Sequence, residues 1–278
     1  MDDRILVFVI LFLLLILIWF FILTLSYDDP VKLNEIMILN KDIENLRIND
    51  NEFPFDIYVI NLERDKDRWE NVQNEMKKVG IENYHRWDAI DGKKIDNSVL
   101  NKHGISDELI YRSKNVGSCA ASHISLLKHI SDNNLGWTMI MEDDIHFHPN
   151  FKSLFPKYWN ETPANAIIVY AGYNDHGANF KNSKQVFAYG TSCMHAYLVN
   201  SYGARYLLQL LNEVNKPFDV TIMFHFRNFG NTNKSFCFNG DISIDGIIPH
   251  DYKNKNRDKC VFGGIVYQNR MEIKSHLR

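Results

Sequence analysis

The sequence predicts an α/β domain, a mostly parallel sheet flanked by helices, preceded by one N-terminal transmembrane helix. Three observations carry this expectation. From residue 56 onward, short apolar runs rich in β-branched residues alternate with amphipathic stretches, the pattern of strand–helix units. The 278 residues are 45% hydrophobic and 23% charged, the composition of a chain that buries a core. The long uninterrupted apolar stretch stands at the N-terminus, apart from that alternation. Composition also excludes classes. Lys+Arg 31 against Asp+Glu 34 leaves a formal charge of −3, so there is no global basic field and nucleic acid is not an expected partner. Seven prolines, fourteen glycines and no repeat of fixed period argue against collagen-like, proline-rich and solenoid architectures.

Residues 5–25, ILVFVILFLLLILIWFFILTL, contain Thr24 as their only polar residue. At ~1.5 Å per residue they span the ~30 Å hydrocarbon core, longer than the ~7–15 residue apolar region of a cleaved signal peptide. Residues 1–26 are therefore expected to be a short cytoplasmic tail and a signal-anchor. Arg4 favours a single-pass type II orientation with the remainder lumenal or extracytoplasmic, since Asp28 and Asp29 carry little weight in the positive-inside rule. Residues 27–54, rich in Asp, Asn and Lys, read as a stem with a short amphipathic helix from Ile36 to Leu46. The globular domain is expected at 55–278. Cys119, Cys193, Cys237 and Cys260 include no CxxC pair, which argues against a zinc knuckle and leaves a Cys237–Cys260 bridge open.

Within the globular part, DIYVINL at 56–62 reads as a buried strand bounded by Pro54 and a charged cluster. A helix follows over 63–80, with Trp69, Val72, Met76 and Val79 at helical spacing and Gly80 as its stop. YHRWDAI at 84–90 is a second strand, ending in the turn Asp91-Gly92. Gly117 to Ile130 carries Ala120, Ile124 and Leu127 on one helical face. WTMIME at 137–142 and AIIVYAGY at 166–173 are further strands, and YGARYLLQLLNEV at 202–214 a further helix before Pro217. In largely parallel sheets, ligands bind outside the carboxyl ends of the strands.

Glu142-Asp143-Asp144 stands at such an end. Acids placed there can hold a divalent cation through oxygen while the cation bridges phosphates; a solvated acidic loop is the bland alternative. An extended chain through Asp144, His146 and His148 would put all three on one face, which also permits a hydrolase-type metal centre.

VINLERDKDRWENV (59–72), YHRWDAIDGK (84–93), SCAASHISLLKHI (118–130), WTMIMEDDI (137–145), AYLVNSYGARYLLQLL (196–211) and KPFDVTI (216–222) together resemble glycosyltransferase family 25, the group of lipopolysaccharide and collagen galactosyltransferases. The resemblance implies a glycosyltransferase A-type, Rossmann-like fold for a catalytic domain at 55–278, a UDP-sugar donor such as UDP-galactose, a glycan or protein acceptor, inversion at the anomeric carbon, and a divalent cation, often Mn2+. By position, it implies donor-binding roles for Asn61, Leu62, Arg64, Arg68, Asp88, Asp91, Ser122, His123 and Asp143. Asp144, then Glu142, match the family's metal-binding acids, and Asp219, in Pro217-Phe218-Asp219, is the candidate catalytic base. Helix-surface, turn and packing roles compete for Arg68, Asp91 and His123 respectively. Ser118 stands where the family commonly has glycine, and the segment after Ile222 has no clear match. Two other classes stay open. One is a metal-dependent phosphoesterase using His146 and His148. The other is a catalytically silent, membrane-anchored carbohydrate-binding protein.

Overall fold

The computed structural model describes residues 47–49, 53–176, 186–228, 232–238 and 260–268. The expected membrane segment at 5–25 and the helix at 36–46 lie outside these residues. Among the described residues no helix is long and apolar enough to cross a membrane.

In chain order the elements are β1 (Asp56–Asn61), α1 (Lys66–Lys78), β2 (His85–Asp88), α2 (Asn97–Lys102), α3 (Asp107–Arg112), α4 (Lys114–Asp132), β3 (Thr138–Glu142), β4 (Ile145–Phe147), α5 (Phe151–Asn160), β5 (Ile168–His176), β6 (Val186–Ala188), β7 (Ser192–Val199), α6 (Ser201–Leu210), α7 (Phe218–Asn228), β8 (Ser235–Phe238), β9 (Cys260–Gly264) and β10 (Val266–Gln268). The eight-stranded sheet runs β2-β1-β3-β7-β5-β8-β6, with β9 also on β5. β1, β2, β3, β5 and β8 run one way, while β7, β6 and β9 run against them, so the sheet is mostly parallel in direction but mixed in its pairings. The expected strand at 56–62 and the helix at 63–80 are there, the helix closing on a left-handed Gly80 (φ +60°) that no β-branched residue would tolerate.

β7 was not expected. Its insertion between β3 and β5 is what interrupts the parallel order. Its sequence, SCMHAYLV, is buried on both faces and therefore shows no polar–apolar alternation. The cap residues follow rule: Ser113 accepts from the Val116 N–H at the start of α4, and Asn200 from the Gly203 N–H at the start of α6. Under β1 and β3 the core is aromatic, with Phe151, Phe155 and Trp159 of α5 against Phe53 and Phe55. Ile48 is buried, and its N–H and C=O are both bonded to the Asn160 side-chain amide. Ile48 and Phe53, inside the span read as a stem, thus belong to the packing of the compact unit, which begins at Leu46. Cys237 is buried; the side chain of Cys260, to which a bridge was left open, lies outside the described residues.

Candidate active site

The carboxyl ends of β1 and β3 and the N-terminal half of α4 border a cleft that, counted with the solvent space at its open mouth, measures about 750 Å³. Its chemistry begins with the strands. β1 and β3 are parallel neighbours, with Ile60 opposite Glu142, so the loops leaving both strands converge at one end of the sheet. β1 leads into Leu62, Arg64 and, one turn into α1, Arg68; β3 leads into Glu142, Asp143 and Asp144. All six line the cleft.

Three carboxylates this close need neutralising partners. The Arg68 guanidinium, buried, stands 2.9 Å from Asp143 Oδ1 and 3.0 Å from Asp144 Oδ2. Asn61, also buried, donates from its side-chain amide to Asp143 Oδ2 at 2.7 Å, and its own oxygen accepts from Arg86 Nε at 2.9 Å. Burial dominates at Asp143 and raises its carboxyl to about 7. Arg68 and Asn61 pull the other way, while Asp144 and Glu142 add to the rise. From the far end of the chain, Gln268 at the end of β10 brings its side-chain amide to 3.3 Å from Glu142 Oε2 and to 3.3 and 3.2 Å from the two oxygens of Asp144. β10 reaches this place by pairing with β4, the short strand that follows the acids.

The second wall is built by α4 and the Asp91-Gly92 turn. Asp91 pairs with Arg64 and also accepts from the Lys93 N–H. Ser122 accepts from the Ile90 N–H at 2.8 Å and donates to the Ser118 carbonyl, which ties the helix to the loop after β2. A side chain at Gly92 would meet Ser118 Oγ at 2.4 Å, so turn and helix touch through their smallest residues. His123 is fully buried. Its Nδ1 lies 3.1 Å from the Tyr197 hydroxyl, its Nε2 lies 3.5 Å from Glu142 Oε1, and its ring stacks on Phe218 with centroids 4.3 Å apart. Burial lowers its pKa to about 3 against the opposing pull of Asp219, so the ring is neutral.

Ten of the expected residues are therefore gathered here: Leu62, Arg64, Arg68, Asp91, Ser122, His123, Glu142, Asp143 and Asp144 line the cleft, and Asn61 stands directly behind it. Two are not. Asp88 is 82% exposed and pairs with Arg86, because its register opposite Asn61 ends the strand with the side chain turned to solvent. Asp219, in the first turn of α7, lies outside the lining and accepts the Cys193 N–H at 2.8 Å, where Cys193 holds a left-handed φ of 57°. His146 and His148 do not join the acids in the cleft either: His146 Nδ1 is 3.0 Å from Glu75 on α1, and His148 Nδ1 accepts from the Asn150 N–H. Sequence reading missed Cys119, which carried a signal in its i, i+4 spacing to His123, and Gln268, which carried none because only the β4–β10 pairing brings it here.

The family model for glycosyltransferase family 25 (LPS biosynthesis protein) matches residues 55–222, well over half of the chain. The chain belongs to glycosyltransferase family 25. The span covers every cleft residue named above except Gln268. Among the relatives of this family 25 chain, a protein of Acanthamoeba polyphaga mimivirus named as a glycosyltransferase is 28% identical over 155 residues, 54% of this chain and 46% of the relative. Another, from Haemophilus influenzae and also named as a glycosyltransferase, is 29% identical over 174 residues, 59% and 60% of the two chains. Procollagen galactosyltransferase 2 of Mus musculus is 31% identical over 105 residues, 35% of this chain and 17% of the relative. The matched region thus spans from under a fifth to three fifths of these relatives' lengths. The crystal structure of a glycosyltransferase involved in glycosylation of the major capsid of PBCV-1 aligns with a TM-score of 0.38 at 10% identity, over 80% of this chain and 94% of that one.

Proposed function

We propose that this family 25 chain is a metal-assisted glycosyltransferase that moves a hexose, galactose first among the candidates, from a UDP-sugar to a glycan or protein acceptor with inversion. The observation that supports it is the acidic end of β3, set in an open cleft beside two arginines and bounded by a helix fixed to the loop after β2. Glu142 and Asp144 supply an all-oxygen donor set, the kind that hard cations such as Mn2+ or Mg2+ take. Their oxygens already converge on one point, where the Gln268 amide hydrogen sits between three of them. These two residues would hold the cation, which when bound would act as a Lewis acid toward the departing nucleoside diphosphate.

The rest falls to the chain's own groups. Arg64, partly exposed at the mouth, is the arginine placed to meet a phosphate, whereas Arg68 is committed to Asp143 and Asp144 and holds them in place. Asn61 fixes Asp143 from behind. Neutral His123 has a hydrogen-bonding nitrogen but no charge to offer a donor, so it serves orientation rather than neutralisation. Proton removal from the acceptor hydroxyl needs a carboxylate within reach in the ternary complex. Among the lining residues Asp91 and Glu142 are the partly exposed acids.

The test is UDP release by the full chain from a panel of UDP-sugars, with Mn2+ and with chelator. Expected is release from one sugar that depends on the metal and falls at least about 100-fold in Asp144→Asn, the size of loss that follows removal of a group stabilising transition-state charge. Turnover unchanged in Asp144→Asn would overturn the assignment of the acids. The phosphoesterase reading, which needs His146 and His148 beside the acids, has no geometric support here.

A further inference from the structure

In the cleft wall a thiol stands beside two of the residues named above. Among the described residues, the ligand atoms of Cys119, His123 and Glu142 all lie within 4.8 Å of one another. Cys119 and His123 are four residues apart on α4 and so share a face, while Glu142 comes across from the end of β3. His123 gives the arrangement its direction. It is fully buried, its Nε2 makes no hydrogen bond, and that nitrogen is aimed at Glu142. The opposite nitrogen is held by Tyr197 and the ring by Phe218, the outer support by which metal-binding histidines are oriented. A sulfur, an imidazole nitrogen and a carboxylate oxygen form a softer set than Glu142 with Asp144, and three protein ligands with an open fourth position match a tetrahedral zinc-type ion.

We propose that Cys119, His123 and Glu142 bind a thiophilic divalent cation of the zinc class, at a position distinct from the all-oxygen one. On binding, the Cys119 S–H bond breaks, its proton passes to solvent, and a sulfur–metal bond forms with no change of oxidation state. Glu142 belongs to both ligand sets, its Oε1 toward His123 and its Oε2 toward Gln268, so a cation held on one side repels and weakens a cation on the other, and zinc opposes loading of the hard cation. That last consequence rests on the transferase reading; the zinc-class site itself does not.

The experiment is a titration of the full chain with Co2+, an optical substitute for zinc, followed in the near-ultraviolet for thiolate-to-cobalt charge transfer and then competed with Zn2+. The expected result is a saturable band that zinc displaces, lost in Cys119→Ser with an affinity at least about tenfold weaker, and retained in Asp144→Asn. His123 is part of the core, so Cys119→Ser, which preserves the size of the side chain, is the deciding variant, its folding checked by circular dichroism. Absence of the band in the folded wild type overturns the proposal. So does the same band in Cys119→Ser, which would move the thiolate to another cysteine. Neither readout depends on turnover, so a silent transferase assay and a failed zinc site are told apart.

Discussion

Asp143 shows how a single residue can set the pH response of this cleft. Its carboxyl is raised from 3.8 to about 7, mainly by burial, so the folded chain retains a proton that the unfolded chain releases near pH 4. Between those values the folded state binds more protons than the unfolded state, and stability therefore falls as pH rises. Asp143→Asn removes the titration while keeping a group that can face Asn61 and Arg68. The variant is expected to gain on the wild type as pH goes from 5 to 8, by about 1–3 kcal/mol, in urea unfolding at the two pH values. A difference that stays flat across that range would mean Arg68 and Asn61 fully offset the desolvation. The sign is opposite to that of an ordinary paired aspartate, and the reason is burial, which outweighs the pull of a guanidinium divided between two acids.

At the scale of elements, the cleft depends on two attachments made far from any substrate. The first is Glu75 on α1. Burial alone would raise its pKa, but hydrogen bonds from His146, Lys78 and the Phe147 N–H hold it down to about 2. This ties α1, which carries Arg68, to β4, which directly follows Asp144. A depressed carboxylate contributes stability above its unfolded value of 4.5 that is lost as pH falls toward 2. Glu75→Gln is expected to cost about 3 kcal/mol at pH 7 and little at pH 2, measured by chemical denaturation. The second attachment is the docking of β9 and β10 on β5. A side chain at Gly172 would meet the Val266 carbonyl at 2.1 Å, and Gly264 holds φ at +91° beside Ala171. Gly172→Ala should destabilise by about 1–3 kcal/mol and, by lifting β10, release Gln268 from the acids. Cation binding by calorimetry should then change more than binding by a chain destabilised equally elsewhere. These attachments also mark what the sequence could tell. β1, α1, β3 and the acids were legible because each is a local pattern. β7, α5 and β10 were not: β7 is buried on both faces, α5 contains Pro156, and β10 is a three-residue strand defined only by its partner.

For the molecule as a whole, the family match spans the cleft at the carboxyl ends of β1 and β3, and nine of the twelve expected residues line it. Asp88 and Asp219 stand off that lining for one physical reason. Asp88 and Asp219 were assigned from neighbouring motif letters, and which way a side chain points at a strand end or helix start is decided by register and capping, which no short motif encodes. Gln268 carries a different consequence. It lies 126 residues from Glu142, and its pairing with the acids is made only through the last described strand. A chain emerging from the ribosome has β1, α1 and β3 in hand long before that strand exists, with Asp143 and Asp144 gathered around one arginine. The cleft is thus completed only after a further 124 residues have followed Asp144. Until then the acids stand without the amide that later sits between Glu142 and Asp144, so their mutual repulsion opposes closure of the cleft until that strand docks.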